Sequence, residues 1–214
     1  MGQDSQDCTA TAANRSAPLA DTPDIRLATP ADASSILEIY APLVTETNLS
    51  FELEAPSVEE VARRIESTLP RYPWLVWTEG GEVLGYAYGA PFRGRPAYAW
   101  TVETSVYVRD RDRGRGLARR LMEALLGLLR LAGYQRAVAG ITLPNPASVA
   151  LHEALGFEPV GTFVSAGHKR GLWSDVGFWD LALGHDNPPP TILGVDEVLS
   201  QESGPAALKS ARGL

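Results

Sequence analysis

The sequence predicts one α/β domain, a mixed sheet with helices on both of its faces. Three observations predict it. Apolar residues follow a period of two in some stretches and of 3.6 in others, which marks strands and helices respectively. These stretches run in the order β-α-α-β-β-β-α-β-α-β-β, and one sheet covered by helices would bury all of them. Hydrophobic types make up 44% of 214 residues, enough for one core.

Each element has a local reason. Residues 25–27 make a short strand. In TPADASSILEIYAPL, Thr29 suits the cap, Pro30 the first helical position and Asp32 the first turn. Ile36, Ile39, Tyr40 and Leu43 then give a helical stripe. In SVEEVARRIESTL, Ser57 and Glu60 have capping-box spacing, and Val61, Ile65 and Leu69 make the buried face. After Pro73 the period becomes two: a strand at 74–77, a tight turn at EGGE and a returning strand at 83–88. A longer strand covers 99–108. The helix at 116–132 carries Leu117, Leu121, Leu125 and Leu128 on one face, and Gly133 ends it. A strand at 136–141, a helix at 147–155 stopped by Gly156, and strands at 160–165 and 176–183 complete the order.

The domain is expected to span 24–184. Residues 1–23 are Ser, Thr, Ala, Asp, Gln and Pro with almost nothing to bury, so they read as a disordered tail. Residues 185–214 open near a triple proline and read as mostly disordered, with the apolar run at 192–195 as the piece able to dock. A net charge of −7 and a pI near 5.0 argue against a general nucleic-acid surface. Cys8 is the one cysteine, which excludes an internal disulfide framework and a cysteine-based metal cluster and fits a reducing, cytoplasmic setting. His152, His168 and His185 are far apart, so no metal site is expected. No run of 18 apolar residues calls for a membrane span, and the N-terminus does not read as a signal peptide.

One basic stretch contrasts with this acidic chain: RDRGRGLARRLMEALL, residues 111–126. Arg111-x-x-Gly114-x-Gly116 follows a strand and opens a helix. A helix start offers unpaired N–H groups and the positive end of a dipole. Glycines let phosphate approach the backbone, and arginines add charge with forked geometry. The combination points to a pyrophosphate site; a solvated basic turn is the plainer alternative. The Gly-Lys-Ser/Thr ending of a nucleotide P-loop is absent.

Strand, Arg-x-x-Gly-x-Gly and helix together resemble the acetyl-CoA motif of the GNAT acyltransferases. NPASVALHEALGF, with Asn145, Ser148 and the closing Gly156-Phe157, resembles a second pattern of that superfamily at the expected spacing. RYPWLVW, WTVETSVYV, LPNPASVALHEALGF and DVGFWDLAL are similar to the phosphinothricin N-acetyltransferase branch, and TETNLSFELEAPS to its substrate-side helix and loop. The resemblance covers residues 25–183. It implies a GNAT-like fold with a central splayed mixed sheet, acetyl-CoA as co-substrate without a metal, and a homodimer. It also implies N-acetylation of a small acidic amino acid-like compound of the phosphinothricin, methionine sulfoximine or methionine sulfone type. Another amine or a peptide as acceptor, and acyl-CoA binding without turnover, are the alternatives.

The resemblance also assigns residues. Arg111, Arg113, Gly114, Arg115 and Gly116, with Leu117 and Ala118 at the helix start, would hold the pyrophosphate. The backbone of Val106, Tyr107 and Val108 would pair with the pantetheine arm, and an N–H near Val106 would face the oxyanion. Asn145 and Ser148 belong to the same site. Glu103 lies in an otherwise apolar strand, where an unpaired carboxylate is costly. It is the implied base for the amine proton; a structural ion pair is the alternative, and alternation does not decide between them. His152 stands where the wider superfamily has a tyrosine thought to protonate the leaving thiolate, a proton a histidine can also donate near neutral pH. Its role, acid or orienting group, stays open. Arg93 and Arg95 in PFRGRPAY suit an acidic acceptor through bidentate contact. The branch carries Lys at the first of these and Trp before it, where this chain has Arg93 and Phe92. The resemblance would also put Phe51 and Glu52 over the acceptor, the strand aromatic Tyr98 near it, and His168 in place of a frequent Tyr; a hydrophobic anchor for Phe51, packing for Tyr98 and plain solubilising charge for Arg93 and Arg95 are the alternatives. Lys169 and Arg170 reach either a ligand or solvent, and Trp173, Phe178 and Trp179 suit core or dimer burial equally. Cys8, in a loose tail, is a poor nucleophile.

Overall fold

The computed structural model describes residues 23–210 and contains one seven-stranded sheet. Its first half is antiparallel: β1 (Asp24–Leu27), β2 (Trp74–Glu79), β3 (Glu82–Pro91) and β4 (Thr101–Val108). Its second half is antiparallel too: β5 (Arg136–Leu143), β6 (Glu158–Lys169) and β7 (Leu172–Ala182), in the spatial order β5-β7-β6. One parallel pairing joins the halves. It sets Thr101–Glu103 of β4 against Arg136–Val138 of β5, and beyond it the strands separate. The helix α3 (Leu117–Leu131) makes the crossover that a parallel pair needs.

The helices cover both faces, as predicted. On one face lie α1 (Ala33–Glu46) and α2 (Val58–Thr68), whose Ile36, Ile39, Val61 and Ile65 bury Trp74, Val76 and Tyr86. Ser57 caps α2 by accepting from the Glu60 N–H. On the other face α3 packs Leu117, Leu121, Leu125 and Leu128 against Leu75, Leu84, Ala87 and Val102. No described helix is long and apolar enough to cross a membrane.

Three of the differences from the sequence reading change where residues lie. Pro96 starts a short 3-10 turn, Pro96–Tyr98, so β4 begins at Thr101 and Tyr98 is not a strand residue. The last hairpin runs on to Lys169 and resumes at Leu172, with a bulge between Phe163 and Gly167 that interrupts the period of two. The third difference is the segment after residue 184, which is not loose. There α5 (Val195–Ser200) and α6 (Ser203–Ser210) pack on α3, and Val195 and Val198 are 4% and 2% exposed. Trp100 Nε1 donates to the Pro190 carbonyl at 2.7 Å, and the Leu193 N–H to the Ala132 carbonyl at 2.9 Å. The physical reason lies in α3. Besides the predicted stripe it buries Met122, Leu126 and Leu129, and a helix that is apolar on all sides but the exposed Arg119–Glu123–Arg130 stripe needs more cover than the sheet alone gives. The predicted N-terminal tail up to residue 22, including Cys8, lies outside the described residues.

Candidate active site

Where β4 and β5 part, a cleft of about 530 Å³ opens. One wall is β4 from Thr104 to Val108, which includes Val106 and Tyr107; the other is β5 from Ala139 to Thr142. The start of α3 closes one end, and α4 (Pro146–Ala154) lines the side. Past Glu103 the β4 edge that faces β5 has no strand partner, so its backbone groups are left for whatever lies in the gap.

The loop before α3 is shaped for an anion. Gly114 and Gly116 have φ of +78° and +81°, and nothing lies within 4 Å of where a Cβ would stand on either. Glycine is therefore required by backbone conformation and not by crowding. Gly116 occupies the N-cap of α3 and no side chain caps it, so the first-turn N–H groups remain open to a ligand. A pyrophosphate fits these donors.

The arginines around this loop divide into two groups. Arg113 and Arg119 line the cleft together with Gly114, Gly116, Leu117 and Ala118. Arg111 and Arg115, assigned to the same site from the sequence, do not line it. Arg111 pairs with Glu82 at 3.3 Å, and Arg115 pairs with Glu79 and Asp112, both at 2.7 Å. Asp112 is 7% exposed and also binds Arg109 at 2.6 Å; that hydrogen bond holds its carboxyl below the usual range. Of the Arg111-x-x-Gly114-x-Gly116 pattern both glycines line the cleft, and the arginine of this loop that lines it is Arg113. Arg113 and Arg119 have acidic partners too, Asp110 at 3.2 Å and Glu123 at 2.8 Å, so what divides the arginines is position and not pairing. The partners that hold Arg111 and Arg115 aside, Glu82 and Glu79, come from the β2–β3 turn, which the alternating run RDRDR does not reveal.

Glu103 holds the last residue pair before the splay, opposite Ala90 on β3 and Val138 on β5. Alternation puts it on the face of Tyr107, toward α1 and α2, while Val102 is buried under α3. Its Oε1 lies 3.4 Å from where a Cβ on Gly140 would stand, so the glycine leaves room for the carboxylate against β5. Burial raises its pKa, the Arg93 charge works against the rise, and no hydrogen bond contributes. Desolvation without pairing is how a carboxylate is tuned toward neutral pH.

His152, 3% exposed, lines the cleft from α4. Its Nδ1 lies 2.8 Å from the Ser148 carbonyl oxygen. A carbonyl only accepts, so the hydrogen belongs on Nδ1, and Nε2 is a buried acceptor without a partner among the described residues. Desolvation lowers the pKa, which keeps the ring neutral. An orienting acceptor suits this state better than a proton donor. The two polar residues of the second motif first serve the helix: Asn145 Oδ1 caps α4 by accepting from the Ser148 N–H at 3.2 Å.

Of the residues assigned to the acceptor from the sequence, Phe51, Glu52, Arg93, Arg95, Tyr98 and His168, none lines the cleft. Leu43 and Leu49 line it, and the loop that carries Leu49 continues through Ser50, Phe51 and Glu52. Glu52 accepts from Arg64 Nη1 at 2.7 Å and from the Tyr40 hydroxyl at 3.1 Å; burial pushes that hydroxyl up to about 12, so it stays a donor. Arg93 lies 4.4 Å over the Phe92 ring, Tyr98 packs edge-on to Phe92 at 5.8 Å, and Arg95 is exposed nearby. His168 does not face the loop. Alternation along β6 turns it outward onto Trp173, 5.0 Å away, and turns Lys169 inward, where Nζ donates to the Ser50 carbonyl at 2.6 Å. Residue type favoured the histidine in the sequence, and the strand predicted there stopped at 165, short of both residues. Trp179 joins the core, whereas Trp173 is 65% exposed. Among the described residues no three His, Cys, Asp or Glu side chains converge as a metal would require.

Comparison with known proteins gives the same answer as the geometry. The acetyltransferase (GNAT) domain family matches residues 25–177. A phosphinothricin N-acetyltransferase from Streptomyces viridochromogenes is 39% identical over 175 residues, 82% of this chain and 96% of that protein. An L-methionine sulfoximine/L-methionine sulfone acetyltransferase from Pseudomonas aeruginosa is 41% identical over 162 residues, 74% of this chain and 94% of that protein. A solved GNAT superfamily phosphinothricin acetyltransferase from Sinorhizobium meliloti, in complex with AcCoA, superposes with a TM-score of 0.75 at 37% identity, covering 79% of this chain and 93% of that one. With its splayed sheet, its glycine cradle and these relatives, the chain belongs to the GNAT acetyltransferase family.

Proposed function

We propose that this acetyltransferase moves the acetyl group of acetyl-CoA directly onto the amine of a small amino acid-like acceptor with an acidic or oxidised side chain. Phosphinothricin, methionine sulfoximine and methionine sulfone are its type. The observation that carries the reading is Glu103, a half-buried carboxylate raised by desolvation and held at the point where the strands part. Glu103 takes the proton of the amine, directly or through water. The freed nitrogen bonds to the thioester carbonyl carbon, and a β4 backbone N–H near Val106 faces the carbonyl oxygen. The C–S bond breaks, the acylated nitrogen gives up its extra proton, and through a water the departing thiolate receives one in exchange. His152, through its bare Nε2, accepts a hydrogen bond that orients this water. Arg93 and Arg95 supply the positive charge that an acidic acceptor would meet.

A homodimer and a cytoplasmic location belong to the same reading. Phe163, Val164, Leu172 and Trp173 on the β6–β7 hairpin are each more than 60% exposed, an apolar face that suits a second copy of the chain. The test is acetyl-CoA-dependent thiol release with a panel of phosphinothricin, methionine sulfoximine, methionine sulfone and common amino acids. Saturable release confined to the acidic or oxidised analogues supports the reading. Equal rates with plain amino acids would remove the narrow acceptor class and keep the transfer.

The division among the arginines gives a sharper expectation for acetyl-CoA. Arg113→Ala should raise KM for acetyl-CoA about tenfold, the loss of one charge-assisted hydrogen bond. Arg111→Ala, at a side chain already paired outside the cleft, should change it less than about threefold. Steady-state kinetics at constant ionic strength separate the two.

A further inference from the structure

The loop after α1 is held from two sides. On the helix side, Ser50 Oγ lies 2.7 Å from the Tyr40 hydroxyl, and Arg64 binds Glu52. On the hairpin side, the turn between β6 and β7 supplies a set of partners separated from the loop by more than a hundred residues. Lys169 Nζ donates to the Ser50 carbonyl at 2.6 Å. Asn48 Nδ2 donates to the Lys169 carbonyl and to Ser174 Oγ, both at 3.3 Å, and Arg170 donates to the Thr45 carbonyl. The Phe51 ring rests on Gly167, where a Cβ would overlap it.

Lys169 is the unusual member of this set. It is 5% exposed, and lysine is almost never buried that deeply without a reason. Its ammonium makes one side-chain hydrogen bond among the described residues, and the acceptor is main chain of the loop. Leu49, in the same loop, lines the cleft. The loop stands on the α1 side of the sheet, the side to which Glu103 projects, whereas the glycine cradle lies at the start of α3.

We propose that Lys169 is a positioning residue for the acceptor: from the hairpin turn it fixes Ser50–Glu52 as a roof over the acceptor end of the cleft. The proposal rests on the acetyl-transfer reading above and adds to it a second element, the hairpin, that sets acceptor affinity. An apolar side chain at 169 would leave the Ser50 carbonyl buried without its donor, and the loop would rise to recover a partner from water.

The test compares Lys169→Met and Gly167→Ala with the parent protein. It measures steady-state acetylation of L-methionine sulfone, or of whichever panel acceptor is turned over fastest, and hydrogen exchange at the amides of residues 48–52. Both variants are expected to raise KM for the acceptor at least fivefold, with KM for acetyl-CoA and kcat changed less than twofold. Exchange at 48–52 should speed at least tenfold while the α3 amides stay as they were. Gly167→Ala displaces Phe51 and leaves the lysine in place, so it carries the test if Lys169→Met does not fold. An unchanged acceptor KM, an equal rise in both KM values, or unchanged exchange at 48–52 overturns the proposal. If no acceptor is turned over, the acetyl-transfer reading has failed by itself. Exchange then decides alone: acceleration confined to 48–52 keeps Lys169 as the holder of the roof, and none removes it.

Discussion

Glu103→Gln is expected to lower kcat for acetyl transfer by about 10²- to 10⁴-fold, the usual contribution of a positioned base. Acetyl-CoA affinity should stay within about twofold, because the carboxylate faces α1 and α2 and the glycine cradle lies at the start of α3. The amide keeps the shape against Gly140 and cannot take a proton. A pH profile gives the sign. Desolvation raises the Glu103 pKa, and the base works only when ionised, so the rate should fall as pH drops through that raised value. In the glutamine variant this acidic limb should be gone. The same shift speaks to stability. A carboxyl with a folded pKa above its unfolded one favours the fold at low pH, and that contribution is lost as pH rises through the folded pKa. At pH 7 the glutamine variant should therefore melt at the same temperature as the parent or higher. A variant that is both slow and less stable would count against Glu103 as the base and point to a structural role.

Removal of residues 186–214 is expected to lower the melting temperature by on the order of 10–20 °C. Val195 and Val198 are almost fully buried on α3, and Trp100 loses the carbonyl of Pro190 as acceptor. Together these contacts contribute about 4–7 kcal/mol. The loss also uncovers the side of α3 at Gly127 and Ala132, on which Ala207 and Leu193 rest, so aggregation should accompany it. Circular dichroism melts of the full and shortened chains measure the effect. A difference below about 3 °C would mean that α5 and α6 do not rest on α3 in solution.

Particular residues show why some of this was legible in sequence and some was not. The order of elements followed from period and caps, which are local: Ser57 caps α2, and Val61 and Ile65 face the core, as their spacing requires. The glycines at 114 and 116 were legible because a backbone conformation needs them. Partner choice was not local, and there the reading failed. Arg111 and Arg115 are held outside the cleft by Glu82 and Glu79, some thirty residues upstream in another turn. His168 and Lys169 are neighbours in sequence and face opposite ways, which the bulge between Phe163 and Gly167 obscured. The C-terminal helices had one signal that went unused. Met122, Leu126 and Leu129 fall outside the predicted stripe of α3, and a second apolar face implies a second cover.

The three residue pairs between β4 and β5 have a mechanical consequence. Two half-sheets share so short a seam that the molecule resembles a book held by part of its spine. Whatever fills the open part acts as a missing rung, and its binding energy becomes cohesion between the halves, growing as RT ln(1 + [L]/Kd). The lifetime of this protein against heat and proteases is thereby tied to the supply of the metabolite it consumes.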